Sequence, residues 1–334
     1  MDDFYYGAPA PFDKKPYSRA TNRLGLTYFV LCLVSNVAAI LLSAVYLWLH
    51  PNVTAYPDWL NWTITIVSLY LIATPLSLLC LLGIPKTPPA RRRISFRTFL
   101  IFALIAFALM IGGSIIGQSV NSVVESFVGI EQGEDLTEAL ESSALWLTCL
   151  YSLVIAPVME ELFFRKLLID RTCSMGTWPC VLFSGIAFGL FHGNLEQFFY
   201  ATLLGFLLAY VYYNTGNLWY TVGLHSVLNF FGGILPTVVW EYTPDFFSLE
   251  GEALTEAIVS HPVAFLLNLL VALLPYLFAL LGVLFLVLNA RKLWRAATPT
   301  PLPREHRVSV LLGTPGAILF LAVSLLSIVL SIFS

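Results

Sequence analysis

The sequence predicts an all-α protein that crosses a membrane several times. Only 11 % of its 334 residues are charged, against roughly 25 % in an ordinary soluble domain. Hydrophobic residues make up 58 % of the chain, and the mean hydropathy is +0.82. A soluble protein could not cover its surface with so few charges. The net charge of −3 provides no basic field for phosphates, so we expect no nucleic-acid partner.

Apolar runs of membrane-spanning length occur along most of the chain. A bilayer core about 30 Å thick takes roughly 20 apolar residues of helix. The runs that approach or exceed this length lie at 25–49, 62–83, 98–118, 144–168, 179–195, 197–214, 218–239, 262–290 and 308–333. We therefore predict about nine transmembrane helices. Because the fifth and sixth runs are short, eight is the alternative count.

The positions of the 17 Lys and Arg residues predict how these spans are oriented. They lie before span 1, between spans 2 and 3, at the end of span 4, and between spans 8 and 9. The connections on the opposite side carry acidic residues instead. Since cytoplasmic connections are enriched in Lys and Arg, we predict a cytoplasmic N-terminus and an outer C-terminus. The expected location is a multi-pass position in the bacterial cytoplasmic membrane.

Two adjacent carboxylates in span 4 are the first candidates for function, because an ionisable group at membrane depth is costly. Glu160 and Glu161 follow a long apolar run. On a helix, Glu161 and Arg165 share one face and can pair. Glu160 is rotated by about 100° and has no such partner, and a desolvated, unpaired carboxylate suits a general base. The alternative is that both glutamates form a charged helix end in the headgroup layer.

A histidine in span 5 is the second candidate. His192 ends an aromatic run in which Gly185 and Gly189 form a face of small residues that would let the helix pack closely on a neighbour. Glu196 follows four residues later and could orient the imidazole ring. The alternative is that His192 only fills a packing or interfacial position.

A histidine and an asparagine in span 7 form the third candidate. His225 and Asn229 are four residues apart in an apolar run, so they share a helix face and can direct hydrogen bonds to one point. The alternative is ordinary hydrogen bonding between membrane helices, which is common and modest in energy.

Depth in the membrane connects the three candidates. Counting 1.5 Å per residue from the cytoplasmic helix ends, Glu160 lies about 16 Å deep, His192 about 20 Å, His225 about 12 Å and Asn229 about 18 Å. Independent structural roles would scatter these groups, so we predict one buried polar site in spans 4–7. The sequence then divides into a three-span region (1–142) with a cytoplasmic tail and an acidic outer segment, a catalytic core (143–240) and a two-span region (241–334).

These motifs resemble those of a known family. Glu160-Glu161-x-x-x-Arg165, Phe188-x-x-x-His192 and His225-x-x-x-Asn229 occur in this order on successive helices. They resemble the CPBP (CAAX protease and bacteriocin-processing, or Abi) intramembrane endopeptidases, which include the Ras-converting CAAX endopeptidase. The resemblance covers about residues 143–240. It implies a peptidase in which Glu160 and His192 activate a water and Glu161 with Arg165 supports them.

The resemblance also gives His225 and Asn229 a role, either in stabilising the oxyanion or in completing a metal shell. Glu160, His192 and His225 would form a recognisable Zn²⁺ ligand set. The same groups suffice for a metal-free general-base reaction, and the sequence leaves both mechanisms open. The implied partners are membrane lipids and a peptide or protein substrate, with or without a prenyl group.

Two other functional classes stay open at this point. The chain could be a non-catalytic membrane scaffold or immunity protein of the same fold. It could also be a proton-coupled transporter, because buried Glu and His form proton relays. Transporters favour internal repeats with polar breaks in both halves, whereas the polar groups of this chain form one cluster. The transporter is therefore the weaker alternative.

Overall fold

A computed structural model describes residues 12–53, 57–128, 145–295 and 298–333. The described chain is 84 % helix and contains no strand, which confirms the predicted all-α class. The helices, numbered in chain order, are α1 (Lys15–Leu49), α2 (Trp59–Leu81), α3 (Phe96–Val128), α4 (Leu145–Met175), α5 (Thr177–Phe191), α6 (Leu195–Thr215), α7 (Leu218–Glu241), α8 (Gly251–Ser260), α9 (Pro262–Arg295), α10 (Arg304–Leu311) and α11 (Pro315–Ser331).

Seven of these helices are long and apolar enough to cross a membrane, namely α1, α2, α3, α4, α6, α7 and α9. An eighth span arises if α10 and α11, which meet at an angle of 60°, count as one. The structure therefore agrees with the lower of the two predicted counts, and the protein is an integral, multi-pass membrane protein.

The acidic stretch after span 3 begins inside α3, which continues to Val128; residues 129–144 lie outside the described part.

The remaining predicted span corresponds to α5, which has only 15 residues. It rises about 22 Å and falls short of a bilayer core about 30 Å thick. The predicted run extends to residue 195, but the helix ends earlier because Gly193 adopts a positive φ of 70°. The side chain of Asn194 then caps α6 by accepting a hydrogen bond from the backbone N of Gln197 (2.8 Å).

Segments that carry the Lys and Arg residues meet at one end of the helix bundle. We call this end, formed by residues 12–23, 84–97, 165–177, 214–217 and 298–310, the basic end. The hydrogen bonds that join its segments run from Thr87 N to Asp170 O (2.6 Å), from Arg92 N to Thr215 O (2.7 Å), from Thr298 N to Thr177 Oγ1 (2.8 Å) and from Thr21 Oγ1 to Val310 O (2.5 Å). The fold thus groups the basic connections as the sequence predicts, and their cytoplasmic location stays a prediction.

Glycines allow the helices to approach one another closely. A Cβ atom on Gly185 would overlap the ring of Phe206, and one on Gly189 would overlap Thr202, both on α6. The predicted small-residue face of α5 is therefore confirmed. Gly25 lies in the same way against the backbone of Gly316, so that α1 packs on α11. The first and last helices thus pack against each other beside the helices that carry the candidate site.

Candidate active site

Helix α4 departs from regular α geometry just before the two glutamates. Residues Tyr151–Ile155 form π-helical turns. Pro157 follows them and has no N–H, so it cannot donate to a carbonyl four or five residues earlier. Side chains of α7 donate to these carbonyls: Ser226 Oγ donates to Leu153 O and Asn229 Nδ2 donates to Ser152 O, both at 2.8 Å. These bonds attach α7 to α4 next to the glutamates.

A second set of π-helical turns, Leu162–Leu167, follows the glutamates. Its carbonyls also accept hydrogen bonds from neighbouring helices. Tyr28 OH on α1 donates to Phe163 O (3.0 Å), and Ser184 Oγ on α5 donates to Phe164 O (2.6 Å). Short π-helical insertions are frequent at functional sites. Here they fix the glutamate turn to three other helices.

Glu161 and Arg165 form the ion pair that their spacing predicts. Arg165 Nε lies 2.9 Å from Glu161 Oε2, and both side chains are fully buried. The other oxygen of Glu161, Oε1, lies 3.1 Å from His225 Nδ1. The Arg165 guanidinium lies over the ring of Phe188, 4.4 Å from its centroid. Glu161 therefore joins Arg165 to His225, a link that sequence reasoning missed.

Glu160 lies on the other side of the same imidazole. Its Oε2 atom is 3.8 Å from His225 Nε2, which is close enough for an ionic interaction but too far for a direct hydrogen bond. Its side chain is 18 % exposed, whereas that of Glu161 is 0 % exposed. Glu160 is thus the carboxylate that a water or a substrate can reach, and it lies next to the imidazole of His225.

His192 caps the end of α5. Its Nδ1 atom lies 2.8 Å from Phe188 O, and its ring meets the ring of Phe188 edge-on. Because the carbonyl can only accept, Nδ1 carries a hydrogen and Nε2 is the free acceptor. The expectation that Glu196 orients the ring is wrong: Glu196 lies on α6, beyond the break at Gly193, and the Phe188 carbonyl holds the ring instead.

The side-chain amide of Asn229 has a structural role because it holds α7 against α4. Its amide donates one hydrogen to Ser152 O, and an asparagine amide has a second N–H as well as a carbonyl oxygen. His225 lies one helical turn earlier and is buried. The predicted pair therefore shares one face of α7, as its spacing requires.

A polar cavity of about 310 Å³ lies beside His192. Its polar lining comes from helices outside the segment that carries the motifs. Hydroxyl and amide side chains contribute from α1 (Ser35, Asn36), α2 (Thr65, Ser68) and α11 (Ser324, Ser327). Sequence reasoning assigned these residues no role. Their signal was a set of hydroxyl groups in otherwise apolar spans.

The predicted metal set does not form in this arrangement. Among the described residues, no group of three or more His, Cys, Asp or Glu side chains is placed so that it could hold a metal ion. Glu160, His192 and His225 therefore do not fit a Zn²⁺ site as they stand.

Comparisons with known proteins agree with the motifs. A model of the family described as "Type II CAAX prenyl endopeptidase Rce1-like" matches residues 142–231. This segment is thus similar to CAAX endopeptidases of the kind that the motifs indicate. The "Putative membrane peptidase YdiL" of Bacillus subtilis (strain 168) is 26 % identical over 122 residues, which are 35 % of this chain and 50 % of that protein. The chain thus matches half the length of this relative. No solved structure matches it significantly.

Proposed function

We propose that the protein is an intramembrane endopeptidase that hydrolyses a peptide bond with a water activated by Glu160 and His192. The observation that carries the proposal is the contrast between the two glutamates. Glu161 is buried between Arg165 and His225, whereas Glu160 is accessible and lies near His225 Nε2. The match of residues 142–231 to a CAAX endopeptidase family supports the same reaction. The substrate is a peptide or protein that reaches the site within the membrane.

Glu160 would take a proton from the attacking water, and the free Nε2 of His192 would accept the hydrogen bond that orients it. The water oxygen then bonds to the peptide carbonyl carbon and creates an oxyanion. Breakage of the C–N bond follows, and the proton held by Glu160 passes to the leaving amine. These reaction steps use only His192, at the end of α5, and Glu160, in the glutamate turn of α4.

His225 and Asn229 would stabilise the oxyanion. Glu161 accepts a hydrogen bond from His225 Nδ1 and thereby fixes the ring, so that Nε2 faces Glu160 and can donate to negative charge there when it carries a hydrogen. The second N–H of Asn229 is the other available donor. Donors that are held in place in a dry site stabilise developing charge far more than water does. In this scheme the role of Glu161 and Arg165 is to position His225.

The cavity beside His192 would supply water to the reaction. It lies in the bundle, is lined by six polar side chains and includes His192 itself. Water can occupy a cavity that is roomy and offers several polar partners. The flanking helices would therefore assist the reaction without carrying a catalytic group.

The test is the substitution Glu160→Gln in the purified, full-length protein reconstituted in liposomes. The probe is a library of internally quenched peptides, analysed by fluorescence and mass spectrometry. We expect a loss of cleavage of about 10²-fold or more, as for removal of a general base, with an unchanged unfolding temperature. Glu196→Gln is the matched control because it removes an exposed carboxylate on α6. Cleavage by the Glu160→Gln variant at the wild-type rate would exclude the proposed role.

The same experiment addresses the non-catalytic alternative. A scaffold or immunity protein of this fold would cleave no peptide in the library, and the wild-type protein and its Glu160→Gln variant would behave alike. Cleavage that requires Glu160 but not Glu196 would instead establish a peptidase.

A further inference from the structure

A second cavity lies at the basic end, far along α4 from the glutamate turn. It has a volume of about 510 Å³ and is enclosed by the start of α1, residues 84–87 and the end of α4. Three cationic side chains, those of Lys15, Arg19 and Arg171, line it together with one carboxylate, that of Asp13. Its volume lies in the range of small-molecule sites, roughly 300–1,000 Å³.

Arg171 is the unusual member of this cavity, because it is charged and only 8 % exposed. Its Nη1 atom donates to Leu167 O on its own helix (2.9 Å), while its buried Nε has no hydrogen-bond partner among the described residues. The neighbouring Asp170 attracts it through space but forms no ion pair with it among the described residues. The carboxylate oxygens of Asp170 bind Lys166 Nζ (2.9 Å) and Tyr212 OH (2.7 Å) instead.

A buried guanidinium that is not paired with a carboxylate is costly. Within the described ranges, no carboxylate lies within ion-pair distance of Arg171, Lys15 or Arg19. Lys15 and Arg19 are exposed and four residues apart, so they share one face of α1. Asp13 accepts a hydrogen bond from the backbone N of Lys15 (3.0 Å), which places it at the start of the helix. The cavity keeps an excess of positive charge.

We propose that this cavity binds a phosphate group, and that Arg171 is the buried anchor of the site. Arginine recognises phosphate with several donors in a planar fork, and lysine adds a point charge. The phosphate can belong to an anionic lipid headgroup or to a soluble phosphate. Arg171 lies three residues beyond the predicted fourth span, about 4.5 Å along the helix, which is the depth of the headgroup layer. Basic pockets between membrane helices bind anionic headgroups in this way.

The experiment compares phosphate sources on the full chain in nanodiscs. One arm uses phosphatidylcholine nanodiscs that contain about 10 % phosphatidylglycerol, an anionic lipid at a level that keeps the surface charge low. Bound lipid is counted by native mass spectrometry. The other arm adds inorganic phosphate to pure phosphatidylcholine nanodiscs and measures the shift of the unfolding temperature. Retention of phosphatidylglycerol identifies a lipid ligand, and a shift with phosphate alone identifies a soluble one. If the wild-type protein shows neither effect, the proposal is wrong.

Variants of exposed residues keep the test independent of folding. Lys15→Gln with Arg19→Gln removes two cations of the cavity. Arg91→Gln with Arg93→Gln removes two exposed cations elsewhere at the basic end and is the matched control. We expect affinity to fall about fivefold for each cavity cation removed, or roughly 25-fold for the pair, and to stay unchanged in the control. Equal affinities of the two double variants would overturn the proposal. Neither measurement depends on peptidase activity, so the proposed function can fail while this site stands.

Discussion

The carboxylate of Glu161 contacts two partners, Arg165 through one oxygen and His225 through the other. A carboxylate and a guanidinium that are both withdrawn from solvent depend on each other, because either one alone would be a buried, uncompensated charge. The Nη atoms of Arg165 have no hydrogen-bond acceptor in the described part of the chain. The dependence of Arg165 on Glu161 is therefore strong, and it leads to a prediction about stability.

We predict that Glu161→Gln destabilises the fold by about 3–5 kcal/mol, the usual cost of breaking a buried ion pair from one side. The measurement is the unfolding free energy in mixed detergent micelles. The double variant Glu161→Gln with Arg165→Met should recover most of this loss, since it removes both charges and keeps the volume. If the single and double variants are equally unstable, the interaction between the charges is not the cause.

His192 and His50 offer a matched pair of histidines. Each lies at the C-terminal end of a helix, and each ring places Nδ1 near the carbonyl four residues earlier (Phe188 O at 2.8 Å, Tyr46 O at 3.0 Å). Of the two, only His192 lines the polar cavity. We predict that His192→Ala lowers peptide cleavage by about 10²-fold, while His50→Ala has no effect. Equal effects of the two substitutions would mean that His192 has no catalytic role.

Helical spacing was sufficient to predict side-chain contacts within one helix. The i, i+4 relation predicted the Glu161–Arg165 pair, and the structure contains it. The bond between Glu161 and His225 could not be predicted, because it depends on how α7 docks against α4. The proposed orienting role of Glu196 failed for a related reason. It assumed a continuous helix across Gly193, where a positive φ ends α5.

Among the elements, α4 is the one whose irregularity positions the site. Its two sets of π-helical turns lie on either side of Ala156–Glu161, and the carbonyls they expose bind side chains from α1, α5 and α7. The apolar pattern predicted a span here but not its internal geometry, because π turns depend on partners from other helices. Pro157 was the local signal, since proline deprives earlier carbonyls of a donor.

We predict that Pro157→Ala lowers peptide cleavage at least tenfold while the protein stays folded. The new N–H would compete with Ser226 and Asn229 for the carbonyls of α4, and a small displacement of catalytic groups is costly in rate. Pro236→Ala is the control, since Pro236 also follows a set of π-helical turns, Phe230–Ile234, but in α7. Activity and unfolding temperature are measured for both. Full activity of the Pro157→Ala variant would show that the α4 geometry is not required.

The contact between α5 and α6 allows a test of helix packing. A methyl group on Gly185 would overlap the Phe206 ring, whereas one on Gly112 of α3 would meet open space. We predict that Gly185→Ala destabilises the protein by about 1–3 kcal/mol, the range for overpacking. Gly112→Ala should be neutral or slightly stabilising. The measurement is the unfolding temperature of each variant. Equal unfolding temperatures would argue against tight packing of α5 on α6.

For the whole molecule, the described helices outside residues 142–231 complete the surroundings of the site. Helices α1, α2 and α11 provide the polar lining of the cavity beside His192, and α1 also donates a hydrogen bond to α4. Composition predicted that these helices lie in a membrane, but no local pattern indicates that their polar residues converge on one cavity. Their convergence depends on the packing of α1 against α11 through Gly25 and Gly316, which are 291 positions apart and share no local pattern.

This arrangement predicts that a helix outside residues 142–231 influences peptide cleavage. Ser327 of α11 lines the cavity, and Ser331 lies one turn further along the same helix, outside the cavity lining. We expect Ser327→Leu to lower the cleavage rate about tenfold by displacing water that the reaction consumes, with the unfolding temperature unchanged. Ser331→Leu should leave the rate unaltered. If Ser327→Leu cleaves peptides as fast as the wild-type protein, water reaches Glu160 by another route, and the flanking helices serve only to hold the fold.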